Sequence, residues 1–254
     1  MSPTRTSASR GPFALLGSEL RYGAQFIRRH PFRLLLPFVG VLVPLWIFAG
    51  LATELREDGV LFFDVPVLAW LHAHATPQVD AFFQVVSKVG YLWGVVPADV
   101  LLLGWMVWRR RYRDGLFFGL AVLGSLGINV AAKAYFARSR PDLWLSLTPE
   151  TTYSFPSGHA MGSATLAVAL ALLAWRTRAR WWVVAAGAVF MLLVGLSRNY
   201  LGVHYPSDIL AGWMAATAWV VAVYQLVVAE APAPPAAAAA GRDKIAVSAA
   251  ASRD

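Results

Sequence analysis

The residues best suited to chemistry fall in three short stretches: Lys133, Arg138 and Arg140; then Ser157, Gly158 and His159; then Arg198, His204 and Asp208. Cations dominate, so the expected ligand is an anion. An ammonium offers a point charge, and a guanidinium offers a planar fork for paired phosphate oxygens. Pro156-Ser157-Gly158 reads as a helix start. Free backbone N–H groups there cradle an anion, and glycine lets it approach closely. His159 then sits in the first turn, placed to exchange a proton with a bound oxyanion. In the third stretch Pro206 suits the first position of a helix, leaving His204 just outside it and Asp208 in its first turn. Asp208 can accept from one ring nitrogen of His204 and fix its tautomer, which frees the other nitrogen to attack. Each stretch alone has a plainer alternative: snorkelling cations at a headgroup, a capped helix with an interfacial histidine, and a structural His–Asp pair.

The elements that must position these groups follow from composition. Of 254 residues, 58% are apolar and 14% charged, with a mean hydropathy of +0.55. An ordinary soluble domain has about half and a quarter. A disordered chain and a collagen are excluded, and with no cysteine so are a disulfide scaffold and thiolate chemistry. Six apolar blocks, at 33–51, 91–108, 115–132, 160–175, 181–196 and 209–229, predict transmembrane helices. At ~1.5 Å per residue, about 19 residues cover a hydrocarbon core. The fourth and fifth blocks are short and must borrow flanking residues. The expected fold is all-α: a polytopic membrane protein with six spans.

Charge sets the orientation. Sixteen of the 22 Lys+Arg lie in 1–33, 109–114, 176–180 and the tail after 230. The positive-inside rule therefore puts both termini in the cytoplasm. Segments 52–90, 133–159 and 197–208 face outward, with the three chemically active stretches at the outer ends of spans. The net charge of +8 thus divides into cations that set topology and a few that would grip a ligand, and no nucleic-acid partner is expected. Three units are predicted: a basic cytoplasmic segment 1–32, a membrane domain 33–229, and a disordered Ala/Pro-rich tail 230–254. Segment 1–32 is not read as a secretory signal, since no short apolar run ends at a cleavage site.

The three stretches together resemble the type 2 phosphatidic acid phosphatase (PAP2) superfamily. Its signature, Lys-x6-Arg-Pro, then Pro-Ser-Gly-His, then Ser-Arg-x5-His-x3-Asp, is matched in order by Lys133…Arg140-Pro141, Pro156-Ser157-Gly158-His159 and Ser197-Arg198…His204…Asp208. The six-span layout is similar to its bacterial integral-membrane branch. The resemblance implies a lipid phosphate or diphosphate phosphatase in the inner (plasma) membrane, with its site on the extracytoplasmic side. Its substrates would be undecaprenyl diphosphate, phosphatidylglycerol phosphate, phosphatidic acid or diacylglycerol diphosphate. By the same resemblance His204 is the nucleophile and forms a phosphohistidine, Asp208 orients it, and His159 is the general acid and later the base. Lys133, Arg140, Arg198, Ser157 and the Gly158 N–H hold the phosphoryl oxygens, with no cofactor and no metal. A phosphotransferase on the same fold, passing the phosphoryl group to a lipid or sugar hydroxyl, remains the alternative. The motifs do not separate the two.

Other residues carry lesser expectations. Asn129 lies one turn before Lys133 and is expected to hold it by hydrogen bonding. Asp99, inside the second block, reads as an interior helix–helix group or a support behind the site, more than as a catalytic residue. Tyr153, Tyr200 and Tyr205 line the site entrance or pack at the interface. Arg138 touches substrate or headgroups, so its loss should cost much less than that of Arg140. His72 and His74 read as interfacial surface histidines. Segment 52–90 is expected to hold two short interfacial helices, 65–72 and 79–89, split by Pro77.

Overall fold

The computed structural model of the chain describes residues 35–229. The expectations for segment 1–32 and tail 230–254 therefore lie outside the described residues. Every regular element described is a helix. We label them α1 (Leu35–Asp58), α2 (Asp64–Ala73), α3 (Pro77–Val89), α4 (Val95–Trp108), α5 (Tyr112–Phe136), α6 (Gly158–Ala174), α7 (Arg180–Tyr200) and α8 (Pro206–Tyr224). α1 contains a π-helical stretch at Phe38–Leu42, and α8 continues into another at Gln225–Ala229.

Each of the six apolar blocks contains a helix among the described residues. Four helices, α1, α5, α7 and α8, are long and apolar enough to cross a membrane, while α4 and α6 are shorter. Outward faces carry Trp46, Leu101, Leu123 and Leu192, all exposed. Such a continuous apolar exterior suits lipid, since contiguous patches of this extent are rare on soluble proteins. The two short outer helices begin earlier than expected. Asp64 opens α2, and Pro77 is the first residue of α3, capped by the Thr76 hydroxyl, which accepts from the Val79 N–H at 3.3 Å. Pro77 starts a helix there because its missing N–H would have had no partner. His72 and His74 are exposed, as expected, and His72 stacks on Trp144 with ring centroids 4.1 Å apart.

The core is centred on α6, which packs chiefly against α7 and α8, and also against α5. Its sequence, GHAMGSATLAVALALLA, is rich in small residues. Small side chains let helix backbones approach closely where lipid supplies no hydrophobic drive for association. Gly212 of α8 marks a close backbone crossing. A Cβ there would lie 2.9 Å from the Ser157 carbonyl oxygen, 3.2 Å from Ala160 Cβ and 3.3 Å from Met161 N. Gly212→Ala is therefore expected to displace the start of α6 and destabilise the protein by about 1–3 kcal/mol. Thermal unfolding in detergent measures the loss, and a melting temperature equal to wild type would show that this crossing has slack.

Below that crossing, Phe117, Phe118, Ala121, Ala169 and Val220 are fully buried. Above it, Phe155 is fully buried and packs on Phe48 and Phe136, with ring centroids 5.7 and 4.9 Å away. The aromatic cluster anchors the loop leading into α6 against α1 and α5. That loop, residues 137–157, has no regular structure and holds the second half of the site.

Candidate active site

The site forms where the end of α5, the loop 137–157, the start of α6, the end of α7 and the turn into α8 meet. His204 lies in that last turn and is 1% exposed. Its Nδ1 is 3.3 Å from Asp208 Oδ2 and 3.3 Å from Ser154 Oγ. Its Nε2 is 3.1 Å from Arg140 Nη1. A guanidinium can only donate, so Nε2 presents its lone pair and Nδ1 carries the proton toward Asp208. This is the tautomer the spacing predicts. Burial pushes the imidazole down to about 4, against the bond and charge of Asp208, which pull it up. The ring is therefore neutral at ordinary pH, with the Nε2 lone pair toward Arg140.

Asp208 is fully buried in the first turn of α8, with Pro206 at the helix start as expected. Its Oδ2 accepts from the Tyr205 N–H at 2.9 Å and from Ser154 Oγ at 2.5 Å. The return bond to Tyr205 closes part of a capping box. Its Oδ1 accepts from Arg138 Nη1 at 2.5 Å.

Besides His204 Nε2, Arg140 is held mainly by acceptors of the loop and the turn into α8. Its Nε donates to the Thr152 carbonyl at 2.7 Å, Nη1 to the Val203 carbonyl at 2.7 Å, and Nη2 to Glu150 Oε2 at 2.8 Å and Thr152 Oγ1 at 3.0 Å. Arg198, 2% exposed, donates from Nη1 to Ser87 Oγ at 2.5 Å and from Nη2 to Glu150 Oε1. Glu150 thus bridges both guanidiniums. Burial alone would raise its carboxyl, but Arg198 and Arg140 overcome that and hold it down to about 2. A carboxylate fixed between two forks marks the place where they are shaped to grip an anion. Lys133 donates to Thr152 Oγ1 at 3.1 Å and to the Tyr153 carbonyl.

Ser157 is the N-cap of α6, as the Pro-Ser-Gly run predicts. Its hydroxyl accepts from the Ala160 N–H at 3.5 Å, a long contact, and its own N–H donates to the Asp208 carbonyl at 3.1 Å. Gly158 and His159 open the helix, and the His159 ring packs on Tyr91 with centroids 4.9 Å apart.

Several expectations change. Asn129 does not hold Lys133. Its Nδ2 donates to the Pro156 carbonyl at 3.1 Å, and its Oδ1 lies 3.2 Å from where a Gly158 Cβ would sit. It thus fixes the loop at the start of α6. Tyr200 and Tyr205 do not line an entrance. Tyr200 donates to Asp80 Oδ1 at 2.6 Å, and Tyr205 lies under the Arg138 guanidinium at 4.1 Å. Tyr153 is exposed. Arg138 reaches neither headgroup nor open site; it is 7% exposed and turned into the protein. Its Nη2 donates to Asp64 Oδ2 at 2.8 Å and to the Gly59 carbonyl at 3.1 Å, and its Nη1 donates to Ser207 Oγ at 2.8 Å as well as to Asp208. Gly59 follows α1 with φ +72, a conformation side chains resist, and this turns its carbonyl toward Arg138.

Asp99 sits where three helices meet, in keeping with an interior helix–helix group. It lines a cleft between α4, α5 and α6 together with Val96, Ser125, Leu126, Asn129 and Gly162, and its Oδ1 has no hydrogen-bond partner. Sequence reasoning missed Glu150, Ser154, Thr152 and Asp64. For the first, the signal was one of only two carboxylates, with Asp142, in a loop that also carries Arg138 and Arg140. No group of three His, Cys, Asp or Glu able to hold a metal occurs among the described residues.

A sequence model of the PAP2 superfamily matches residues 114–231. The chain is 31% identical over 160 residues to an undecaprenyl-diphosphatase of Sulfolobus acidocaldarius, covering 60% of this chain and 72% of that one. It is 30% identical over 171 residues to phosphatidylglycerophosphatase B of Bacillus subtilis, covering 65% and 84% respectively. The crystal structure of a transmembrane PAP2-type phosphatidylglycerolphosphate phosphatase from Bacillus subtilis superposes with a TM-score of 0.69 at 25% identity, over 76% of this chain and 98% of that chain. Fold and site together define a helical membrane phosphatase. The chain belongs to the PAP2 superfamily, and all three motif stretches that carry the resemblance lie at one site.

Proposed function

We propose that the protein dephosphorylates a lipid phosphate or diphosphate through a phosphohistidine on His204, without a metal. The observation that carries this reading is the His204 ring itself: Nδ1 on buried Asp208, Nε2 facing the Arg140 fork. In this reading the substrate phosphoryl group takes the place of Glu150 between Arg140 and Arg198, with Lys133, Ser157 and the Gly158 N–H contributing further donors. His204 Nε2 attacks phosphorus as the bond to the lipid oxygen breaks, and His159 gives that oxygen its proton. His159 then takes a proton from water, whose oxygen attacks phosphorus, and phosphate leaves as the P–N bond breaks. Asp208 supports the imidazolium throughout. Positioning and preorganised charge supply most of the acceleration.

The cleft lined by Asp99, Ser125 and Asn129 reaches Gly158, which suits a substrate whose apolar part lies in the bilayer and whose phosphate lies at the start of α6. The relatives named for undecaprenyl diphosphate and phosphatidylglycerol phosphate make these two the first substrates to try. We read α4 and α6 as completing six spans, because flanking residues extend them toward membrane thickness. We also read residues 33–229 as the catalytic unit between a basic cytoplasmic segment and a cytoplasmic tail. The site then faces the extracytoplasmic side of the inner membrane.

Purified protein is expected to release phosphate from at least one of these lipids at an undiminished rate in EDTA. Activity abolished by EDTA and restored by a divalent cation would overturn the metal-free mechanism. Transfer of labelled phosphate to a second lipid, with no free phosphate, would replace hydrolysis by phosphotransfer.

A further inference from the structure

Behind the His204–Asp208 pair lies a second, fully enclosed set of charges. Asp64 and Asp208 are both completely buried, and Arg138 joins them at 2.8 and 2.5 Å. Asp64 also takes the Ser207 N–H on Oδ1 at 2.9 Å and the Ser207 hydroxyl on Oδ2 at 2.7 Å. It therefore binds the residue immediately before Asp208, at the N-terminus of α8, where a carboxylate also complements the helix dipole. Two carboxylates share one guanidinium, so the cluster carries a net negative charge. Buried ion pairs are seldom worth their desolvation as stability alone, which points to a use.

We infer that Asp64 and Arg138 are positioning residues that set the charge Asp208 presents to His204, Asp64 by drawing off part of the Arg138 cation. This rests on the reading of His204 as nucleophile. With Asp64 in place, Asp208 keeps enough negative charge to support the imidazolium formed as Nε2 takes the phosphoryl group. Without Asp64, the whole cation falls on Asp208, and that support weakens.

The other charged groups facing His204 are Arg140, Arg198, Glu150 and His159. Lys133 stands across the loop on Tyr153. Tyr205 faces Arg138 from below, with Asp142 near it. None of these is altered in the test, and a shared substrate makes its own ionisation common to all variants.

The test is the acid limb of kcat/KM, which reports groups of the free enzyme, in Asp64→Asn, Arg138→Gln and the double variant, beside His204→Ala. Asp64→Asn is close to isosteric and keeps one acceptor oxygen for the Ser207 N–H. It is expected to lower kcat about tenfold and move the limb down by about one pH unit. Arg138→Gln is expected to move it up, since it frees the Asp208 charge. The double variant removes one charge of each sign and is expected to bring the limb back toward wild type, a coupling that a double-mutant cycle measures. If Arg138→Gln does not purify folded, Asp64→Asn and the double variant decide between themselves. Limbs that stay put, or that move the same way in all variants, overturn the inference. Retained turnover in His204→Ala would instead overturn the underlying reading, so the two failures are distinguishable.

Discussion

Replacing His204 by alanine is expected to abolish phosphate release, by roughly 10⁴-fold or more, while the protein still purifies as a folded membrane protein. Two features make the effect large. The side chain occupies the point where the Arg140 fork and the Asp208 carboxylate converge, so nothing nearby replaces Nε2 as nucleophile. Its backbone is also tied independently, because Asn199 Nδ2 donates to the His204 carbonyl at 3.0 Å and Val203 N–H bonds the Arg198 carbonyl at 3.2 Å. The turn should therefore survive loss of the ring. Acid-quenched protein incubated with labelled substrate should carry acid-labile phosphate in the wild type and none in the variant. Substantial turnover in His204→Ala would send the nucleophile elsewhere, with His159 next to be tested.

Arg138→Ala is expected to cost the protein its fold before it costs any rate constant. Removing one partner from a buried ion pair costs about 3–5 kcal/mol, and here two buried carboxylates would lose their shared cation. The Gly59 carbonyl and the Ser207 hydroxyl would lose a donor as well. A marginally stable protein does not absorb a loss of that size easily. By contrast, Arg140 and Arg198 meet at a Glu150 that is 28% exposed, so Arg140→Ala should leave a folded protein with weakened phosphate binding. Yield after size-exclusion chromatography and thermal unfolding should separate the two, with Arg138→Ala the worse. Equal stability in both would show that water replaces the Arg138 guanidinium, and that the cluster is less sealed than its geometry indicates.

This order reverses the one the sequence suggests, and the reason is physical. Helix positions were legible because a bilayer leaves helices of bilayer length as the default, and each of the six apolar blocks contains a helix, four of them long enough to cross a membrane. Asp208 beside His204, Pro206 at the start of α8 and Ser157 at the N-cap of α6 were legible because they depend on neighbours within a turn. What spacing does not carry is the direction in which a loop turns. Arg138 and Arg140 are two positions apart, yet one faces Asp64, 74 residues away, and the other faces Glu150. Asn129 shares a helical face with Lys133, but the loop returning from 137 brings the Pro156 carbonyl closer. Contacts of this kind are set by tertiary packing of the loop on Phe48 and Phe136 and are silent in any local window.

The Arg138 junction also has a consequence for how the protein comes to be made. It joins Gly59 and Asp64 at the beginning of the chain to Ser207 and Asp208 near its end. During synthesis at about 5–20 residues per second, Arg138 emerges several seconds before its second carboxylate. Until α8 docks, this end of the bundle holds a cation paired with Asp64 alone, and a His204 that lacks its carboxylate partner. The last of the described helices thus completes the charge balance and the His204–Asp208 pair in one step, so a chain interrupted before α8 is expected to be inert and open to quality-control proteolysis.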